Sequence, residues 1–307
     1  MSQGSALLRP VTLSGLSLPN RVVMAPTTRC RGTVPSVLHA LHYARRAAAG
    51  LIICEGTLVS QQDVAGVPGL FTSAQVSGWR RVTDLVHSLG GRIMVQLWHA
   101  GLRPLGPAEI SAAVSDYRLA AANALRAGFD GVEIAANGTY LIAQFLNPRL
   151  NRRTDSYREP GRLLLDILDA VSTIDTRVGV RLSPYWVPSD STPPDPAYFP
   201  SVETLSVYDS LVPQLSSLAY LHLRGPATFS LDAFAHYRNL FPGFFIANNG
   251  FSFESASVAV ETGVADAVSF ARHFIANPDL VTRFALDQEL SLSDKAFNYT
   301  GGAEGYL

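Results

Sequence analysis

Short apolar runs alternate with longer amphipathic segments along the whole chain. The runs hold four or five residues, rich in β-branched or aliphatic side chains, and are typical of strands buried on both faces. Eight strands are predicted, at Arg21–Ala25, Leu51–Cys54, Arg92–Gln96, Gly131–Ile134, Val178–Leu182, Tyr220–Leu223, Phe244–Ala247 and Ala267–Phe270. Apolar residues at helical spacing predict helices between them, as in Val76–Leu89, Ile110–Ala127, Gly161–Ile174, Val202–Leu215, Phe253–Thr262 and Pro278–Ala285.

This alternation predicts an α/β fold with a parallel sheet covered by helices. Eight repeats are the number that closes a (β/α)8 TIM barrel, whereas a doubly wound sheet usually has fewer strands. The crossovers are short and no Pro/Gly/Ser-rich linker divides the series, so we expect a single domain spanning residues 1–307. Tyr185–Pro200 holds five of the 19 prolines and is expected to form an irregular loop after the fifth strand.

Composition and net charge limit the kinds of molecule that the protein is expected to bind. Hydrophobic residues make up 47% of the chain and charged residues 16%, which supplies the apolar surface for a large core. The net charge is -1 and no Lys/Arg-rich run is present, so we expect a small-molecule substrate, with no nucleic acid or membrane partner. Met1–Pro10 lacks the apolar core of a secretion signal, which favours the cytoplasm; a homodimer stays open.

In such a barrel the functional residues lie where strands end and loops begin, on the carboxyl face. Asn249-Gly250 follows the seventh strand and Arg272 the eighth, where barrels of this type bind phosphate through backbone amides and a guanidinium. The alternative is a simple turn at Asn249-Gly250 and an Arg272 paired with a carboxylate. Residue spacing alone does not distinguish this alternative from a phosphate site. The seven histidines are scattered without ligand spacing, so no metal site is expected.

The chain resembles the Old Yellow Enzyme family of FMN-dependent ene-reductases over nearly its full length. Matching segments are Leu18–Arg21, Met24–Arg29, Tyr43–Ala47, Gly50–Ile53, Gly91–His99, Ala127–Ile134, Tyr140–Leu146, Arg153–Asp155, Gly179–Pro184, Phe274–Leu280 and Gly301–Tyr306. The resemblance implies a barrel that binds FMN, uses NAD(P)H as reductant and acts on an α,β-unsaturated carbonyl or a related bulky natural product of secondary metabolism.

The resemblance also implies the cofactor-binding residues: Ala25, Pro26, Thr27, Thr28, Gly56, Gln96, Arg181, Asn249, Gly250, Ala271 and Arg272. The chemistry of a flavin agrees with three of these roles. The primary amide of Gln96 can both donate to and accept from the pyrimidine edge of the ring. The guanidinium of Arg181 would stabilise the negative charge of reduced flavin, and Thr28 would donate to the O4 side.

Tyr140 is the implied catalytic proton donor, since a phenol near its ordinary pKa of about 10 stays protonated at neutral pH. The residues assigned to the substrate side are Trp98, Ala135, Gly138 and Tyr299. Here the chain departs from the family, which places a His and then a His or Asn, both bound to the substrate's carbonyl oxygen, where Ala135 and Gly138 stand. Loss of both donors predicts weak activity on simple enones. Replacement donors stay open among Asn137, Thr139, His42, Tyr43, Trp98 and Tyr185.

A second departure is the short loop after the third strand, where about ten residues separate Trp98 from the helix near Ile110 and the family has a capping hairpin. This predicts a wider, wetter cavity. The alternative function is a divergent member that catalyses isomerisation, oxidation or cyclisation, or binds ligand with the flavin in a supporting role. An aldolase-like barrel would need a Schiff-base lysine, and Lys295, the only lysine, lies outside the strand ends.

Overall fold

Eight parallel strands close into a barrel in the computed structural model, which describes residues 4–187 and 196–307. The strands in chain order are β1 Val11–Leu13, β2 Leu16–Leu18, β3 Val22–Met24, β4 Leu51–Leu58, β5 Ile93–Trp98, β6 Val132–Ala136, β7 Val178–Leu182, β8 Tyr220–Arg224, β9 Phe245–Asn248 and β10 Ala267–Phe270. Strands β3 to β10 are neighbours in chain order, and β10 pairs with β3 from Val268–Val22 to Phe270–Met24. The predicted (β/α)8 TIM barrel is confirmed, with all eight predicted strands in place.

Helices connect the strands and cover the outside of the barrel. Their bounds are α1 Val37–Ala44, α2 Ser73–Ser88, α3 Pro107–Arg126, α4 Leu141–Leu146, α5 Arg162–Ser172, α6 Val202–Leu211, α7 Leu231–Leu240, α8 Phe253–Glu261, α9 Arg272–Ala276 and α10 Leu280–Leu286. Local capping explains where several begin: Thr72 and Gln75 form a reciprocal capping box at α2, and Pro107 occupies the first turn of α3. The six predicted helices correspond to α2, α3, α5, α6, α8 and α10.

The side chains of each barrel strand alternate between two packed layers. On β8, Leu221 and Leu223 point outward into the large core shared with the helices, whereas Tyr220 points into the barrel interior. The lower interior is sealed by the β1–β2 hairpin, whose Leu13 and Leu18 are fully buried against Tyr220 and neighbouring strand residues. The hairpin closes the amino end, which leaves the carboxyl end as the open mouth.

The loop predicted at Tyr185–Pro200 is described only in part, because residues 188–195 lie outside the described residues. The portion Pro196–Tyr198 forms a single 3-10 turn before α6. Within residues 4–187 and 196–307, no helix combines the length and the apolar character needed to cross a bilayer.

Candidate active site

A cavity of about 600 Å³ opens at the carboxyl end of the barrel strands. Its wall contains eleven of the residues that the sequence nominated: Pro26, Thr27, Thr28, Gln96, Tyr140, Arg181, Asn249, Gly250, Ala271, Arg272 and Tyr299. These residues come from loops and strand ends spread over the chain, so the barrel brings together the groups that its topology predicts at one mouth. The remaining nominated residues, Ala25, Gly56, Trp98, Ala135 and Gly138, lie elsewhere.

Trp98 forms the layer behind Tyr140. The two rings meet edge to face with centroids 4.4 Å apart, and Trp98 packs in an apolar cluster with the fully buried Ala135. A Cβ on Gly56 would lie 3.0 Å from the indole nitrogen, so the glycine leaves room for the Trp98 ring against β4. Gly56, Trp98 and Ala135 therefore support the position of Tyr140.

Ala25 and Gly138 are held by backbone contacts. The N–H of Ala25 donates to the Phe270 carbonyl, which extends the β3–β10 pairing by one residue. Gly138 has a φ of +66°, and its N–H donates to the Ser183 hydroxyl at 2.9 Å. Gly138 lines a small neighbouring pocket with Ser183, so the turn before Tyr140 is fixed from the β7 side.

The electrostatic setting of Tyr140 keeps its phenol protonated. Burial raises the pKa of Tyr140 above its ordinary value, Tyr299 acts in the same direction, and the charges of Arg181 and Arg224 oppose the shift. A phenol with a raised pKa holds its proton at neutral pH and is able to act as a general acid.

Among the described residues, three arginines line the cavity: Arg181, Arg224 and Arg272. Arg181 donates from Nη2 to Asn248 Oδ1 at 2.8 Å, while its Nε is buried without a partner among the described residues. Arg224 ends β8, and in the described part of the chain its side chain makes no hydrogen bond or ion pair. Burial, together with the charges of Arg181 and Arg272, lowers the pKa of Arg224 to about 10.

The loop after β9 has an unusual backbone. Asn249 and Gly250 have φ values of 91° and 82°, a region that non-glycine residues seldom occupy and that asparagine tolerates better than most. The Asn249 side chain donates to the carbonyls of Gly225 and Pro226, which ties the loop to the segment after β8. The side chain therefore shapes the loop, and Asn249 and Gly250 contribute to the cavity wall.

A hydrogen-bonded network among the interior strands joins the nominated Gln96 to Glu133, His222 and Ser269. Gln96 Nε2 donates to Glu133 Oε1 at 2.8 Å, His222 Nδ1 lies 2.8 Å from Glu133 Oε2, and His222 Nε2 lies 2.7 Å from Ser269 Oγ. Glu133 and His222 are fully buried. In the sequence, Glu133 and His222 stand out as polar residues within otherwise apolar predicted strands. A polar or charged side chain buried in this way requires hydrogen-bond partners.

Asn298 and Tyr299 of the C-terminal segment form one side of the cavity. Arg29, in the loop after β3, donates from Nε to the Asn298 carbonyl at 2.8 Å and from Nη2 to the Gly305 carbonyl. Its guanidinium also lies over the Tyr306 ring. This side of the cavity therefore depends on contacts between residues about 270 positions apart.

Comparisons with known proteins agree with this geometry. The model of the NADH:flavin oxidoreductase / NADH oxidase family matches residues 6–105 and 102–291. The chain is 34% identical to 12-oxophytodienoate reductase 2 of Arabidopsis thaliana, over 97% of this chain and 93% of the relative. It is 34% identical to a probable flavin mononucleotide-dependent alkene reductase of Leishmania infantum, over 98% and 96%.

Solved structures give the same result. Morphinone reductase in complex with tetrahydroNAD superposes with a TM-score of 0.90 at 35% identity, over 98% of this chain and 96% of that one. The Old Yellow Enzyme homologue from Zymomonas mobilis gives 0.90 at 32% identity, over 98% of each chain. This protein belongs to the NADH:flavin oxidoreductase / NADH oxidase family, is of the Old Yellow Enzyme type and is an FMN-dependent oxidoreductase.

Proposed function

We propose that the protein reduces the C=C bond of a bulky α,β-unsaturated carbonyl compound, with FMN in the barrel mouth and NAD(P)H as the reductant. The observation that carries the proposal is the convergence of Gln96, Tyr140, Arg181 and Arg272 on one cavity. The relatives named as 12-oxophytodienoate, alkene and morphinone reductases support a reduction of this class.

The residues present fit FMN. The cavity volume lies within the range of small-molecule and cofactor sites. Gln96 uses one of its two amide hydrogens on Glu133, which leaves one N–H and its carbonyl oxygen for a pyrimidine edge. The buried Nε of Arg181, which has no partner in the described part of the chain, would supply a further donor. Arg272, with the loop residues Asn249 and Gly250, would hold the phosphate.

When bound, FMN would supply a hydride to one alkene carbon of the substrate. Tyr140 delivers a proton to the other carbon, since burial keeps its phenol protonated. Trp98 holds the Tyr140 ring in place from behind. Thr28, in the loop after β3, contributes a hydroxyl to the same wall as Gln96.

Arg224 is our candidate for the group that binds the substrate's oxygen. The residues at the usual donor positions, Ala135 and Gly138, have no donor side chain, and Ala135 is buried behind the wall. Arg224 is on the wall, has no partner among the described residues, and lies near enough to Tyr140 for each to influence the other's pKa. A guanidinium there would stabilise negative charge that develops on a carbonyl oxygen.

The proposal is tested by spectroscopy on the purified protein. We expect a yellow protein that releases FMN on heating, loses its absorbance near the flavin maximum with NADPH or NADH, and regains it when an enone is added under anaerobic conditions. A protein that binds no added FMN would contradict the proposal. A flavin that NAD(P)H reduces but no unsaturated carbonyl compound reoxidises would favour a non-reductive reaction instead.

A further inference from the structure

Glu133 lies at the centre of a closed hydrogen-bond network next to the cavity. Its Oε1 accepts from Gln96 Nε2 at 2.8 Å, and its Oε2 accepts from the Tyr220 hydroxyl at 3.2 Å and from His222 Nδ1 at 2.8 Å. The side chain of Glu133 is fully buried on β6, and the three partners come from β5 and β8. A carboxylate with this many donors is fixed in position as well as in charge.

The protonation states in the network follow from its contacts. Burial alone would raise the pKa of Glu133, but the hydrogen bonds from His222 and Gln96 and the charge of Arg181 outweigh burial and lower it. Burial lowers the pKa of His222, so its ring is neutral. The neutral ring donates from Nδ1 to the carboxylate and accepts at Nε2 from the Ser269 hydroxyl. The network therefore holds one net negative charge, on Glu133.

This charge determines which way the Gln96 amide faces. An ionised carboxylate only accepts hydrogen bonds, so the NH2 group of Gln96 must face Glu133. The opposite orientation would place the amide oxygen against a carboxylate oxygen and lose a buried hydrogen bond. Gln96 consequently presents its carbonyl oxygen and its second N–H elsewhere, and it lines the cavity.

Further hydrogen bonds link this network to the guanidinium of Arg181. Ser269, which bonds His222 through its hydroxyl, accepts at its carbonyl from Asn248 Nδ2 at 3.0 Å. Asn248 in turn accepts from Arg181 Nη2 at 2.8 Å through its side-chain oxygen. Gln96 and Arg181, the two residues we assign to the flavin ring, are thus joined by one chain of contacts that passes through Glu133.

We propose that Glu133 is a positioning residue that orients the amide of Gln96 towards the flavin and lowers the reduction potential of bound FMN. The inference rests on the proposed binding of FMN in this cavity. Reduction adds negative charge to the flavin, and a fixed buried anion disfavours that form relative to the oxidised one. Glu133 thereby partly offsets Arg181, and the pair sets how readily the flavin gives up its hydride.

Two substitutions separate the effect of the Glu133 charge from its effect on the orientation of the Gln96 amide. In Glu133→Gln the new amide oxygen can accept from Gln96 and its NH2 can donate to the other neutral tautomer of His222, so orientation is kept and charge is lost. In Glu133→Asp the charge is kept, but the shorter side chain withdraws from Gln96. Tyr220→Phe is the matched control, because it removes one hydrogen bond to Glu133 and leaves its charge.

The measurement is an equilibrium redox titration of the FMN-loaded protein against a reference dye, with the affinity of oxidised FMN measured separately. In Glu133→Gln we expect the affinity for reduced FMN to increase about tenfold relative to that for oxidised FMN. For the two-electron couple, this corresponds to a reduction potential about 30 mV higher than that of the wild type. Glu133→Asp should keep the wild-type potential and bind oxidised FMN about tenfold more weakly, and this loss should vanish in a Gln96→Ala background. Tyr220→Phe should match the wild type in potential.

An unchanged potential in an FMN-loaded Glu133→Gln protein would overturn the inference, and a wild-type protein that binds no FMN would overturn both it and the proposed function. Should neither Glu133 variant fold, the wild type labelled with ¹³C-glutamate provides the remaining test. Its infrared difference spectrum between oxidised and reduced forms is expected to show an ionised glutamate band that shifts on reduction. The lack of such a band would contradict the role of Glu133.

Discussion

Tyr140 is the side chain on which the proposed proton transfer depends. A general acid works in its protonated form, and burial raises the pKa of Tyr140 above 10, so proton donation by Tyr140 should hold through neutral pH and be lost only as pH rises through that higher pKa. We expect Tyr140→Phe to slow the reoxidation of reduced flavin by an enone about 10²- to 10⁴-fold. Reduction by NADPH should be unchanged, and stopped-flow absorbance measures both half-reactions.

The matched control is Tyr157→Phe, which removes a phenol that packs against Phe145 and is not on the cavity wall. It should reoxidise at the wild-type rate. If Tyr140→Phe also reoxidised at that rate, the proton would have to come from another donor.

Arg224 gives a second prediction at the scale of single residues. Arg224→Gln removes the charge that we assign to the substrate's oxygen, so kcat/KM for an enone should fall about 10²-fold. Arg224→Lys should lose less, because it keeps a cation on the wall. Both variants should retain FMN, whereas Arg272→Gln, at the proposed phosphate end, should weaken FMN binding. Loss of FMN from Arg224→Gln with unchanged turnover at saturating FMN would instead place Arg224 with the phosphate.

Single residues also show where sequence reasoning reached its limit. Gln96, Arg181 and Arg272 were predictable, since each lies at or near a predicted strand end on the carboxyl face. Glu133 was visible as a charge in an apolar strand, but its partners come from other strands whose register the sequence does not state. Arg224 directly follows the sixth predicted strand, but its place on the cavity wall beside Tyr140 is known only from the structure.

At the scale of elements, the eight barrel strands could be predicted because parallel strands buried on both faces are continuous apolar runs. The β1–β2 hairpin has strands of three residues and α4 has six residues, lengths at which periodicity carries little information. Their positions are determined by tertiary packing, in the hairpin through Leu13 and Leu18 against the barrel interior.

A substitution in the turn between β6 and α4 tests whether restoring a hydrogen-bond donor for the substrate's carbonyl oxygen raises activity. Gly138 has a positive φ that asparagine tolerates, and a Cβ there would lie 3.6 Å from the Tyr140 ring. We expect Gly138→Asn to fold and to raise kcat/KM for a simple cyclic enone about tenfold, since it adds an amide donor beside the phenol. Steady-state kinetics measure the gain, and wild-type kinetics in a folded, FMN-loaded variant would contradict it.

Ala135→His should behave differently, because Ala135 is fully buried in the cluster that supports Trp98. Adding an imidazole to a packed cluster is expected to cost about 1–3 kcal/mol of unfolding free energy. Urea unfolding with saturating FMN measures this cost, with Gly138→Asn as the comparison. Equal stability of the two variants would show that the cluster behind Tyr140 has room that its burial does not suggest.

At the scale of the whole molecule, Glu55 connects parts of the chain that the sequence places far apart. Its carboxyl group on β4 accepts from the Arg29 N–H at 3.1 Å and from the Tyr43 hydroxyl of α1 at 3.2 Å. Arg29 in turn holds the C-terminal segment through the carbonyls of Asn298 and Gly305. Such long-range contacts determine one wall of the cavity, and no local pattern predicts them.

Glu55 also makes the stability of the fold depend on pH. Burial raises its pKa from 4.5 to about 7, against the opposing effect of the hydrogen bonds from Arg29 and Tyr43. The folded state therefore binds the proton more tightly than the unfolded state. The contribution of Glu55 to the unfolding free energy is fully present below pH 4.5. It is lost as the pH rises through 7, and the unfolding free energy falls by about 3 kcal/mol.

Glu55→Gln removes this titration while keeping a side chain of the same size and an oxygen for the Arg29 N–H. Between pH 4.5 and 7.5, the unfolding free energy of the variant should gain about 3 kcal/mol relative to the wild type, as measured by urea unfolding with saturating FMN. Glu203→Gln, which changes an exposed carboxylate in the first turn of α6, is the control and should follow the wild-type pH dependence. Parallel curves for Glu55→Gln and the wild type would mean that Glu55 stays ionised in the fold, held by Arg29 and Tyr43 more strongly than burial opposes it.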